Sequence, residues 1–189
     1  MSLRELSVAL RCGELSPTDH VRDVCERLAA DTHNAVVTLD AERALDQAAE
    51  LTRELRRGHH RGPLHGVAVG VKDLFDVAGL PTRAGSDVLA GAPPATADSA
   101  VVARLRAAGA VVVAKLHTHE FAYGPTGDVA ATGPARNPHD PTRITGGSSS
   151  GSAAAVAAGA LPRGGGPPPG AGGPPPPPPG GGGGRAPPI

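Results

Sequence analysis

Residues 66–116 read GVAVGVKDLFDVAGLPTRAGSDVLAGAPPATADSAVVARLRAAGAVVVAKL, and this stretch decides the fold class. Val67, Val69 and Val71 alternate with Ala68, Gly70 and Lys72, a period of two that predicts a strand closing on a lysine. Gly79 to Pro81 is a turn. Asp98 or Ser99 opens a helix that carries Val101, Val102 and Leu105 and is stopped by Gly109. Val111 to Lys115 follows as an apolar strand. Strand, helix and strand in this order predict an α/β fold with a mixed, partly parallel sheet covered by helices.

Upstream, the signals are helical. Ser2 with Glu5 three residues later is a capping box for a first helix, and Gly13 is its stop. Ser16 followed by Pro17 starts a second helix, whose apolar face is Val21, Val24, Cys25 and Leu28. Ala35 to Leu39 is a short β-type run. Asp40 is placed to cap a third helix running to about Arg57, with Ala44, Leu45, Ala48, Leu51 and Leu55 on one side. Downstream, GGSSSGSAAAVAAG (146–159) reads as a Gly/Ser turn entering a small-residue helix from Ser148 to Ala158. Residues 1–61 thus form a helical lead-in and residues 62–162 an α/β core.

The end of the chain differs. Between Gly164 and Gly184 there are 11 Gly, 9 Pro and one Ala, leaving no side chains to bury. Residues 163–189 therefore read as a disordered, low-complexity Gly/Pro tail.

Composition excludes several function classes. The 189 residues carry 18 basic and 18 acidic side chains, so a nucleic-acid partner has no electrostatic support. No run approaches the roughly 20 apolar residues of a membrane span, and MSLRELSVALRCGE at the start is too charged for a signal peptide. A cytoplasmic location is the expectation. Cys12 and Cys25 make neither a disulfide framework nor a zinc site, and read as two reduced, partly buried thiols.

Three features carry candidate chemistry. Lys72 ends an apolar strand, with Gly70 and Ala68 on its face leaving room beside the amine. Desolvation there would lower its pKa and make it a base; the plain alternative is an amine in solvent or paired with Asp73. The turn at 146–149 presents free N–H groups to an anion or a serine hydroxyl. A phosphate cradle, a linker and a close helix-packing element all fit it, although the lysine of a P-loop is absent. In KLHTHEFAYG (115–124), His117, His119 and Glu120 invite a metal, but the i, i+2 spacing does not match a helical His pair, so no metal is expected. His59 and His60 read as a solvated loop.

Taken together, GPLHGVAVGVKDLFDVAGLPTRAGS (62–86), DSAVVARLRAAGAVVVAKLHTHEFAYG (98–124) and GPARNPHDPTRITGGSSSGSAAAVAAG (133–159) resemble the amidase signature family of serine hydrolases. The resemblance covers residues 1–162, weakly before residue 62, and is similar to both general amidases and the A subunits of tRNA-dependent amidotransferases. It implies a Ser–cis-Ser–Lys triad. Lys72 matches the base, and Ser148 the serine that follows a cis peptide bond. Ser149 is a supporting hydroxyl, and Ser150 stands where many relatives have Gly. The implied substrate is a small-molecule amide, with no cofactor, no nucleic acid and no membrane, and with room for a homo-oligomeric parent.

The family's nucleophile lies in a T-D-x-G-G-S element about two dozen residues past the cis serine. Counting from Ser148 puts Pro167, Pro168, Pro169, Gly170, Ala171 and Gly172 there, with Gly172 at the nucleophile's position. Proline has no N–H to offer an oxyanion hole. A native linker and a mis-framed end of a GC-rich reading frame both fit the tail. The abrupt stop inside the signature favours the second, a truncated parent. Either way, the chain as written is expected to be inactive. A non-catalytic anion-binding α/β module is the alternative of another class.

Overall fold

Three strands in the spatial order β1-β3-β2 carry the fold: β1 (Val36–Leu39), β2 (Ala68–Lys72) and β3 (Val111–Leu116). The structure is a computed structural model and describes residues 1–162. β2 runs parallel to β3, and β1 runs antiparallel to it. The expected mixed sheet is present, and the N-terminal third contributes a strand to it as well as helices.

The helices are α1 (Leu3–Cys12), α2 (Pro17–Ala29), α3 (Ala41–Arg56), α4 (Ala100–Ala107) and α5 (Ser150–Ala157). Most of their ends follow local chemistry. Ser2 and Glu5 form the reciprocal capping box, and Gly13 closes α1 in the left-handed region at φ 77°. Ser16 Oγ accepts from the Asp19 N–H, with Pro17 at the first helical position. Asp40 departs from expectation. It occupies the N-cap of α3 without capping it, because its carboxylate pairs with Arg43 instead. Ser99 likewise makes no side-chain cap on α4. Val101 is half exposed, so α4 buries Val102 rather than a wide apolar face. Cys12 is exposed and Cys25 is buried.

One face of the sheet packs against α2, α3 and α5, through Val21, Val24, Ala48, Leu51, Ala68, Val113, Leu116 and Ala154. The other face meets Val77, Leu80 and Val102 through Val71 and Val112. Their small size explains how a chain with 2% aromatic residues fills a core: short strands and Ala-rich helices approach closely.

A β-bulge sets which side chains reach which face. Val69 pairs with Val112, yet Gly70 pairs with Ala114, so Val113 is an extra residue on β3. Lys115 therefore shares the face of Val112, where strict alternation from Val113 would put it in the α5-side core. On β2, alternation is unbroken, and Ala68, Gly70 and Lys72 face α5. The room expected beside Gly70 is filled. A Cβ there would lie 2.6 Å from Leu116 Cδ1 and 3.0 Å from Leu161 Cδ1.

Candidate active site

Lys72 is the last residue of β2, and its Nζ donates to Ser148 Oγ at 2.6 Å. Two residues 76 positions apart meet because α5 returns across the β2 end of the sheet. Burial of the amine pushes the Lys72 pKa below the ordinary lysine value. Lys72 has no ion-pair partner among the described residues, and Asp73, its neighbour in sequence, pairs with Lys115 at 2.7 Å instead.

The turn bearing Ser148 is held by its backbone. Gly146 sits at φ 78°, and the Gly147–Ser148 peptide is cis. Ser148 O accepts from the His119 N–H at 3.0 Å and from Thr118 Oγ1 at 3.1 Å. Gly147 presses on the neighbouring loop, where a Cβ would lie 2.8 Å from Gly127 N. The helix begins at Ser150, two residues later than the sequence suggests, because Ser148 and Ser149 belong to the turn. Ser149 is exposed and makes no side-chain cap on α5.

The sequence reading missed the buried support beneath this turn. Ser150 is fully buried, and its Oγ lies 2.7 Å from His117 Nδ1. His117 Nε2 lies 2.8 Å from Gly133 O. That carbonyl only accepts, so Nε2 carries the hydrogen and Nδ1 accepts from the Ser150 hydroxyl. Burial lowers the His117 pKa and keeps the ring neutral. His119 is similarly occupied, with Nδ1 accepting from the Gly127 N–H at 3.2 Å. Both histidines therefore brace the loops around Ser148. Three serines in a row gave no sign of which one is buried; the helical period counted from Ala154 and Ala155 could have pointed to Ser150. Gly172 and the Gly/Pro tail lie outside the described residues.

Comparison with known proteins places the chain as a whole. The family profile described as Amidase matches residues 19–167. The chain is 45% identical over 142 residues to AtzE, the 1-carboxybiuret hydrolase component of Pseudomonas sp. (strain ADP), an overlap of 72% of this chain and 31% of that protein. It is 41% identical over 150 residues to the A subunit of the glutamyl-tRNA(Gln) amidotransferase of Salinispora arenicola, covering 78% of this chain and 30% of the relative. The native peptide amidase of Stenotrophomonas maltophilia superposes with a TM-score of 0.77 at 38% identity, over 85% of this chain and 34% of that one. The chain thus spans about a third of the length of the proteins it matches. A profile match over most of the sequence, agreeing with identities near 40% and a shared mixed sheet, means that the chain belongs to the amidase family, the amidase signature enzymes.

Proposed function

We propose that residues 1–162 supply the proton-handling half of an amide-hydrolysing site, with Lys72 as base and Ser148 as relay. The observation that carries this reading is the 2.6 Å contact between a desolvated amine and a serine hydroxyl. When the amine is uncharged, the same contact carries a proton from Ser148 to Lys72. Ser148 in turn takes the proton of a nucleophilic serine as that oxygen attacks the amide carbonyl. The proton travels back along the same line to the departing nitrogen as the C–N bond breaks. Water then cleaves the ester, releasing the acid. Ser149, exposed at the start of α5, is kept as a supporting hydroxyl.

The counted position of the nucleophile is Gly172, and Pro167 to Pro169 have no N–H for an oxyanion. On this reading the chain itself releases no ammonia from glutamine or simple carboxamides. A chimera of residues 1–162 followed by the remaining sequence of the peptide amidase is expected to hydrolyse carboxamides. Lys72→Met in that chimera should lower kcat by about 10³-fold or more, judged from triad deletions in other hydrolases. A chimera equally active with and without the amine would overturn the assignment.

The 41% identity to an amidotransferase A subunit favours a second reading, in which the hydrolysed amide is that of glutamine and ammonia passes to a partner protein. Glutamine hydrolysis by a chimera with the Salinispora remainder, rising when its partner proteins are added, separates the two.

A further inference from the structure

The chain has 16 arginines and two lysines, and both lysines sit side by side on the parallel strands β2 and β3, where Val71 pairs with Lys115 and Lys72 with Leu116. They face opposite ways. Lys72 points to Ser148, while the bulge at Val113 turns Lys115 to the far face, where it is fully buried and 2.7 Å from the Asp73 carboxylate. Lys115 Nζ also donates to Pro81 O at 3.2 Å and to Thr82 Oγ1 at 3.0 Å, while Asp73 Oδ1 meets the amine as an ion pair without an aligned hydrogen bond. The other Asp73 oxygen accepts from the Arg83 N–H at 3.2 Å. Asp73 follows Lys72 directly in the sequence.

We propose that Lys115 is a positioning residue for Lys72: by occupying the Asp73 carboxylate behind the strand, it leaves the Lys72 amine to Ser148 alone. This rests on the reading of Lys72 as the base. A buried ion pair is weak evidence for stability, because desolvation offsets much of its attraction. Keeping one here is accounted for by what it does to the neighbouring amine. A lone carboxylate behind β2 would hold Lys72 as an ammonium; the pair, with no net charge, does not. The ionisable groups packed around this strand end are Asp73 just past β2, Lys115 on β3, and His117 and His119 beyond it. His117 is engaged with the Ser150 hydroxyl and Gly133 O, and His119 Nδ1 accepts from the Gly127 N–H and lies 3.9 Å from the Asp128 carboxylate.

The test uses the whole 189-residue chain. Competitive acetylation is followed against pH by mass spectrometry. Cleavage at arginine puts Lys72 in the peptide 62–83 and Lys115 in 107–136, so each amine is read separately. In the unaltered chain Lys72 is expected to titrate below the ordinary lysine value of about 10.4. Lys115→Met should raise its midpoint by about one pH unit, a tenfold loss of free amine at neutral pH. Adding Asp73→Asn to that variant should return the midpoint to its starting value, and Lys115→Arg should leave it unmoved. Should Lys115→Met fail to fold, Asp73→Asn alone carries the test: it leaves a cation behind the strand, and the Lys72 midpoint should fall. A midpoint unmoved by Lys115→Met, not restored in the double variant, or not lowered by Asp73→Asn overturns the inference. An ordinary midpoint in the unaltered chain instead overturns the reading of Lys72 as base.

Discussion

Glycine 151 shows how narrowly the candidate site is built at the level of single atoms. A Cβ on this residue would lie 2.4 Å from His117 N and 2.5 Å from Ala35 O, both backbone atoms that cannot turn aside. Alanine ordinarily stabilises a helix interior over glycine by about 1 kcal/mol. Here overpacking against two strands of backbone outweighs that gain, and Gly151→Ala should cost about 1–3 kcal/mol net, read as a lower urea midpoint. A stabilised variant would show that α5 sits further from β3 than described. Lys72 stood out locally as a lysine closing a valine strand, whereas Ser148 was singled out only through the family resemblance, because a Gly-Gly-Ser turn by itself fits several readings. Ser150, His117 and Lys115 were legible in neither way. Their roles depend on partners 16 or more positions away, and on a bulge that leaves no mark in VVVAKL.

At the level of elements, α2 is fastened to the start of β2 by His20, whose Nε2 accepts from the Ala68 N–H at 3.2 Å. Burial pushes the His20 pKa from 6.5 down to about 4. The unfolded chain takes up a proton near pH 6.5 that the folded chain refuses until about pH 4. The contribution is therefore whole above pH 6.5 and is lost as pH falls through that window, amounting to about 3 kcal/mol. His117 shifts in the same direction for the same reason. Urea unfolding at pH 7, 5.5 and 4.5 should show stability declining with acid, and His20→Gln, which keeps an acceptor for Ala68, should flatten the slope. An equally steep slope in the variant would place the acid sensitivity elsewhere. Helix starts were legible where the cap is local, as at Ser2 and Ser16. At Asp40 the expectation failed because a nearby guanidinium took the carboxylate that the helix N-terminus would have used.

Across the whole molecule, the described residues leave apolar surface on one side of the turn. Phe121 is half exposed, Tyr123 is 91% exposed, and Val129 is exposed as well. Backbone bonds gather these segments, Glu120 N to Val129 O and Phe121 N to Ala84 O. Strands β1 and β2 also form open edges of the described sheet. Such a surface invites association. The 189-residue chain should bind an apolar fluorescent dye in its native state and elute larger than a monomer, less so with Phe121→Ser and Tyr123→Ser together. A dye-silent monomer would count against this. No helix among the described residues is long and apolar enough to cross a membrane. The sequence by itself determined the alternation of strand and helix, most helix starts and the family, because periodicity, caps and motif order are properties of neighbouring residues. Only the tertiary structure decided which serine is buried beneath the turn, which carboxylate stays away from Lys72, and which histidine braces the turn. Those choices depend on sheet register and on desolvation, which exist only once distant segments have packed together.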